Sequence, residues 1–146
     1  MTKVLLSLHV LAAIVAIGPV TVAASMFPAA LRRGDRDAMR LLNRVCRVYA
    51  LIGLAVPVLG LATAGSLGVL GDAWLIVSMA LTLVAALLLG LVILPAQARV
   101  VTGLHERGAA SVPASLGMTI GVFALIWAVV VVLMIVRPGS TTGVGA

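Results

Sequence analysis

The 146-residue chain is 63% hydrophobic and 10% charged, with a formal net charge of +6 at pH 7, whereas an average soluble domain has about 25% charged residues. This composition excludes an ordinary water-soluble domain and predicts a protein that has lipid as its solvent. Because the basic residues are confined to the connections and ends of apolar segments, the charge predicts no nucleic-acid partner, which would need a basic soluble surface.

Four apolar segments are each long enough to cross a membrane, whose hydrocarbon core takes about 20 residues of helix. None contains Asp, Glu, Lys or Arg, and they cover residues 4–26, 48–70, 73–94 and 115–136. Apolar runs without alternating polarity favour helices over barrel strands. The predicted fold class is an all-α membrane protein, with one domain of four transmembrane helices over residues 1–137 and a disordered tail over residues 138–146.

The first connection is rich in arginine and has helical signals of its own. Asp35 is suited to cap a helix, and Asp37 would lie in its first turn. Four arginines recur at helical spacing, a set that we call the arginine stripe: Arg36, Arg40, Arg44 and Arg47. We predict that the second helix begins in the cytoplasm, and that the stripe contacts anionic lipids or an acidic partner, or only orients the chain.

The distribution of basic residues predicts the orientation of the helices. The first connection and the third, expected to run from Gln97 to Ala114, hold eight arginines, whereas the opposite side holds Lys3 and Arg137. Since Lys and Arg near helix ends favour the cytoplasmic side, we expect both chain termini outside. The predicted location is the plasma membrane, which the chain crosses several times.

His9 is the one histidine inside an apolar segment, and ionisable residues at membrane depth are functional candidates. A haem or copper site would use its imidazole as a ligand. The sequence offers no second donor at that depth, because His105 belongs to the third connection on the opposite side. We favour an interfacial histidine that is hydrogen-bonded to a neighbour or a headgroup, with haem binding as the alternative and no metal site predicted.

Small residues recur at four-residue spacing on two of the predicted helices. They are Gly60, Ala64 and Gly68 on the second helix, and Gly117 and Gly121, which form a GxxxG motif, on the fourth. Such residues let helix backbones approach closely, within one chain or between copies. We predict helix packing at both sets, and packing within the chain is the simpler interpretation.

The segment LLSLHVLAA, residues 5–13, leads to Gly18. It resembles the first helix of a loose group of uncharacterised bacterial integral membrane proteins, whose opening is similar to that of the copper-resistance protein D family. The resemblance implies a bacterial inner membrane and, at the position of His9, a haem or metal ligand. The chain reads Ala16-Ile17-Gly18-Pro19 where the family pattern has Trp followed by Gly-Gly, and we predict no cofactor.

The chain shows no constellation of catalytic residues, so no enzymatic activity is predicted. The leading hypothesis is a non-catalytic membrane protein that packs with itself as a homo-oligomer or serves as an accessory subunit of a larger membrane complex. One alternative is a haem- or metal-binding redox protein that uses His9. Another is a small-solute transporter with a pathway lined by hydroxyl groups: Ser78, Thr82 and Thr119.

Overall fold

The computed structural model describes residues 1–103 and 115–139, and all regular secondary structure in these ranges is helical. Four helical rods in this part of the chain are long and apolar enough to cross a membrane: Thr2–Arg32, Arg36–Leu67, Ala73–Gly103 and Ser115–Val136. The predicted all-α class, with four helices suited to span a membrane, is thereby confirmed. Most of the third connection, including His105, and the predicted tail from residue 140 onward lie outside the described residues.

The first three rods are longer than a membrane core requires. They contain 31, 32 and 31 residues, which at 1.5 Å per residue gives about 46–48 Å against a core of about 30 Å. Helix α1 (Thr2–Arg32) continues through Pro28, and the third rod continues through Pro95. The sequence predicted an extension of the second helix, and the structure extends three rods. Gln97, expected to begin the third connection, lies instead within a helix.

The second rod is divided by a break. Its first half, α2 (Arg36–Gly53), begins at Asp35, whose side chain caps the helix by accepting a backbone N–H at 3.0 Å, as the sequence predicts. Its second half, α3 (Ala55–Leu67), starts after one intervening residue. Because Pro57 has no N–H to donate to the preceding turn, the break falls just upstream of that proline.

The third rod contains a wider helical turn. Helix α4 (Ala73–Leu87) passes into a π-helical segment (Leu88–Ile93) and then into α5 (Leu94–Gly103). The π-helical segment ends two residues before Pro95. Its wider hydrogen-bond spacing lets the helix continue although proline has no N–H to donate. The rod therefore stays continuous where the sequence predicted an end at residue 94.

The rods pack tightly at one end of the bundle and separate towards the other. Four large side chains, one from each rod, are buried in the main core: Phe27, Met39, Ile93 and Phe123. Helix α1 packs against α2 and α3, whereas α4 packs against α6 (Ser115–Val136). The molecule thus consists of two hairpins that share the main core near the arginine stripe, and a smaller cluster joins them at the other end: Ala64, Val69, Trp74 and Leu75.

Candidate functional site: an apolar crevice with a buried histidine

A crevice separates the two hairpins at the end remote from the arginine stripe. Its volume is about 1270 Å³, and its walls are formed by α1, α3, α4 and α6. Along α6 the lining extends from Ala124 to Arg137, a rise of about 20 Å. The lining is largely apolar, and its polar side chains are His9, Thr21, Thr63, Thr82 and Arg137, together with the indoles of Trp74 and Trp127. The crevice is therefore a lipid-like environment with a few polar points.

His9 is buried in the α1 wall of the crevice, with 7% of its surface exposed. Its Nδ1 atom lies 3.0 Å from the backbone carbonyl oxygen of Val56 on α3. Because a carbonyl can only accept, Nδ1 carries the hydrogen, and in the neutral ring Nε2 then holds the free lone pair. A backbone carbonyl that orients a histidine in this way is a common arrangement in ligand sites. The hydrogen-bond partner of His9 is therefore a group of the chain. The sequence predicted either such a neighbour or a lipid headgroup.

Gly60 provides the space that the imidazole occupies. A Cβ atom at this position would lie 3.0 Å from Cε1 and 3.4 Å from Nδ1 of His9, closer than ordinary carbon contacts. Ala64, one turn further along α3, is buried. Gly68, in contrast, has φ +71° and ends α3 in the left-handed conformation. Gly60 and Ala64 thus lie at a helix contact, whereas Gly68 is a helix cap, and its packing role stays a prediction.

Gly117 and Gly121 lie on the outer surface of α6. Both are exposed, and no described neighbour comes within 4 Å of a Cβ built at either position. Packing of these glycines against another helix of the same chain therefore stays a prediction. The spacing of a GxxxG motif allows close approach of a helix but does not say which surface of α6 faces the bundle. A contact between two copies through these residues stays a prediction.

The hydroxyl residues considered for a solute pathway are bonded within their own helices. Ser78, Thr82 and Thr119 each donate to the carbonyl oxygen four residues earlier, at 2.8 Å. Of the three, Thr82 alone lines the crevice. Their hydroxyl hydrogens are therefore used inside the helices, and this geometry gives the transport hypothesis no specific support.

A polar cluster lies at the mouth of the crevice. The Trp74 Nε1–H donates to a carboxylate oxygen of Asp72 at 2.9 Å. The guanidinium carbon of Arg137 lies 5.4 Å from the centroid of the Trp74 ring, within cation–π range. These contacts join the start of α4 to the end of α6 and place a cation at the mouth. Sequence spacing does not indicate this contact, because the two rods lie far apart along the chain.

Trp127 lines the crevice with its ring and has a buried, unsatisfied donor. Its indole Nε1 is buried and has no hydrogen-bond partner among the described residues. The ring meets Phe123 edge-on, with centroids 6.4 Å apart and planes at 74°. A buried donor without an acceptor costs about 1–3 kcal/mol. Because Nε1 has almost no accessible surface, a molecule in the crevice would contact the ring of Trp127 and not its N–H.

The arginine stripe lies on the exposed face of α2. All four of its residues are exposed, and Arg40 Nη1 lies 3.3 Å from a carboxylate oxygen of Asp37. The opposite face of α2 is buried through Met39, Asn43 and Cys46. Because α2 packs against α1 and α5 on that side, the stripe faces away from the bundle, as its helical spacing predicts.

A buried polar network that the sequence analysis missed connects the rods near the stripe. Asn43 Nδ2 donates to Gln97 Oε1 at 3.3 Å, and Gln97 Nε2 lies 3.8 Å from Cys46 Sγ. The thiol in turn lies 3.9 Å from the carbonyl oxygen of Val20. Gln97 is fully buried, so these contacts link α2, α5 and α1 in the interior of the bundle. The position of Asn43 and Cys46 opposite the arginines is the signal that could have indicated their burial.

Within residues 1–103 and 115–139, no three His, Cys, Asp or Glu side chains come close enough together to hold a metal ion. Comparison of the chain with known protein families, with characterised proteins and with solved structures gives no match. The fold alone therefore defines the class: a helical protein with four segments suited to cross a membrane. The resemblance of its first helix to the copper-resistance protein D family stays an expectation.

Proposed function

We propose that this chain is a non-catalytic, multi-pass protein of the bacterial plasma membrane that binds a lipid-like molecule in the crevice between its hairpins. The observation that carries the proposal is an apolar crevice of about 1270 Å³ whose few polar side chains include His9 and Arg137. An apolar cavity with a few fixed polar groups is the usual form of a small-molecule site. The expected ligand has an apolar body and a hydrogen-bond-accepting oxygen.

The orientation proposed from the charges places the crevice in the outer half of the membrane. The arginine-rich ends of the rods would lie in the cytoplasm, with both chain termini outside. Leu6, Trp74 and Arg137, which line the crevice, lie near the opposite ends of their rods. A lipid of the outer leaflet would therefore reach the crevice directly.

The size of the crevice is sufficient for a molecule of lipid size. The crevice provides about 1270 Å³, and pockets for drug-sized ligands provide about 300–1,000 Å³. A homo-oligomer or a larger membrane complex would then form through another surface of the protein.

Polar groups, and not apolar area, would select this ligand from the bilayer. Lipid chains are as apolar as the lining, so moving a chain from the membrane into the crevice releases little free energy. Arg137 at the mouth would attract an anionic group. The lining extends about 20 Å along α6, so the proposed ligand is elongated.

The proposal is tested by identifying what remains bound to the protein purified in mild detergent, with native mass spectrometry as the measurement. Ala128→Phe fills the crevice, whereas Val129→Phe adds bulk to an exposed neighbour outside the lining. Ala128 and Val129 are both exposed, so neither change enters the core. We expect a lipid-like adduct on the wild type and on Val129→Phe, and little adduct on Ala128→Phe. No adduct on the wild type, or equal adducts on both variants, would contradict the proposal.

A haem-binding or redox function through His9 is a second candidate. The hydrogen bond from Nδ1 to the Val56 carbonyl orients the ring and leaves Nε2 as the atom able to ligate. The visible absorption spectrum of protein purified from haem-replete cells is the test. A Soret band that disappears in His9→Ala would support this function, and a wild type without the band would exclude it.

A further inference from the structure

The arginine stripe is longer than the layer of lipid headgroups is thick. From Arg36 to Arg47 the helix rises about 16 Å. The headgroup region on each side of a bilayer is about 5–7 Å thick, from a total of about 40–45 Å and a core of about 30 Å. A tilt of 40°, at the upper end of the usual range, still leaves a projected length of about 12 Å. The four arginines therefore do not all reach headgroups at once.

The packing of α2 prevents the stripe from lying flat on the membrane surface. Met39 and Cys46 are fully buried, and Asn43 is hydrogen-bonded to Gln97. These contacts hold α2 along the bundle, beside the end of α1. The long axis of the stripe is therefore directed across the membrane boundary and not along it.

The hydropathy of the second rod determines which arginines lie at that boundary. Residues 48–70 contain no charged side chain, so the hydrocarbon core begins next to Arg47. Arg44 lies about 5 Å further from the core along the helix, within the thickness of the headgroup layer. The other two arginines of the stripe lie about 10–16 Å beyond Arg47, and one of them pairs with Asp37.

We propose that Arg44 and Arg47 bind the phosphate of an anionic lipid in the cytoplasmic leaflet, and that Arg36 and Arg40 do not take part. Two exposed guanidinium groups one turn apart face the same side of a helix, and each binds phosphate oxygens through a planar pair of donors. The site needs the proposed orientation but is independent of the crevice, which lies at the other end of the rods.

Two double variants that each remove two positive charges provide the test: Arg44→Gln/Arg47→Gln and Arg36→Gln/Arg40→Gln. The measurement is the affinity of the full-length protein for phosphatidylglycerol relative to phosphatidylcholine, by native mass spectrometry in mild detergent. Membrane-surface attraction corresponds to about a fivefold change per basic residue, so we expect the first variant to lose more than about tenfold of the wild-type preference and the second to keep it. Equal losses, a loss confined to the second variant, or no preference in the wild type would overturn the proposal.

Inorganic phosphate distinguishes a lipid site from a general phosphate site. We expect added inorganic phosphate to leave phosphatidylglycerol bound, because the acyl chains hold the lipid beside Arg47. Displacement at equal concentrations would overturn the assignment to a lipid.

A lysine variant covers the case in which the glutamine variant does not fold. Arg44→Lys/Arg47→Lys keeps both charges but removes the paired donors of guanidinium. We expect a preference for phosphatidylglycerol between that of the wild type and zero. A preference equal to that of the wild type would show that the paired donors of guanidinium are not needed. Complete loss of the preference would show that the two positive charges alone contribute nothing.

Discussion

The Nδ1 atom of His9 lies 3.0 Å from the carbonyl oxygen of Val56, and this hydrogen bond joins α1 to α3 in the wall of the crevice. The two helices approach closely at this level because Gly60 has no side chain to meet the imidazole. In a membrane, a hydrogen bond between helices contributes about 0.6–2 kcal/mol. The distance between α1 and α3 at this level therefore depends on the N–H of His9 and on the absence of a side chain at Gly60.

Replacing His9 tests the contribution of this hydrogen bond. We expect His9→Leu to lower the free energy of unfolding in mixed micelles by about 1 kcal/mol, because the donor to Val56 is lost. His9→Gln, whose amide can donate to the same carbonyl, should retain most of the stability. Equal losses in the two variants would show that the N–H does not matter.

Two glycines of α3 provide a matched test of the space around the imidazole. Gly60→Ala places a methyl group 3.0 Å from His9 Cε1, and such overpacking costs about 1–3 kcal/mol. Gly65 is exposed and has no described neighbour within 4 Å of a built Cβ, so Gly65→Ala should stabilise the helix by up to about 1 kcal/mol. The measurement is thermal unfolding in detergent, and a Gly60→Ala variant as stable as Gly65→Ala would contradict the close contact.

The sequence predicts those parts of the fold that depend on neighbouring residues. The four apolar segments, the cap at Asp35 and the exposed face of the arginine stripe each follow from local composition or spacing. The extension of the third rod does not follow in this way. The effect of Pro95 depends on how the preceding turn adapts, and here a π-helical segment keeps the rod continuous.

Contacts between distant segments set the rest of the site, and a single sequence does not contain them. His9 and Val56 are 47 residues apart, and the crevice depends on how far the two hairpins separate. The spacing of Gly117 and Gly121 shows that a helix can approach, but the side from which it approaches is a property of the bundle. Packing within the chain therefore stays a prediction at these glycines, which have no described neighbour within 4 Å of a built Cβ.

A double-mutant cycle would measure the interaction energy between the buried amides of Asn43 and Gln97 near the arginine stripe. Gln97→Leu removes the acceptor of Asn43 and leaves that amide buried without its partner. We expect Asn43→Leu and Gln97→Leu each to lower the free energy of unfolding by about 1–3 kcal/mol. The double variant should cost less than the sum by about 0.5–2 kcal/mol. Strict additivity would show that the 3.3 Å contact carries no energy.

The exposed glycines of α6 separate packing within the chain from packing between copies. Because no described residue lies within 4 Å of a Cβ built at Gly117 or Gly121, replacing both with leucine should not lower the unfolding free energy of the monomer. The higher helix propensity of leucine should raise it by up to about 1 kcal/mol per site. If two copies associate through this surface, the same change should abolish the dimer detected by sedimentation in detergent. A monomer that becomes strongly less stable would contradict the outward position of these glycines.

The π-helical segment Leu88–Ile93 determines how the two halves of the third rod are rotated about the helix axis relative to each other. On one side of it Met79 and Thr82 face the crevice, and on the other Gln97 faces Asn43. A π-helical turn takes one residue more than an α-helical turn, so this segment takes up an extra residue that in a regular α-helix would rotate Gln97 by about 100° away from its partner. The rotational alignment of the crevice with the arginine-bearing end of the bundle thus depends on a single wide turn.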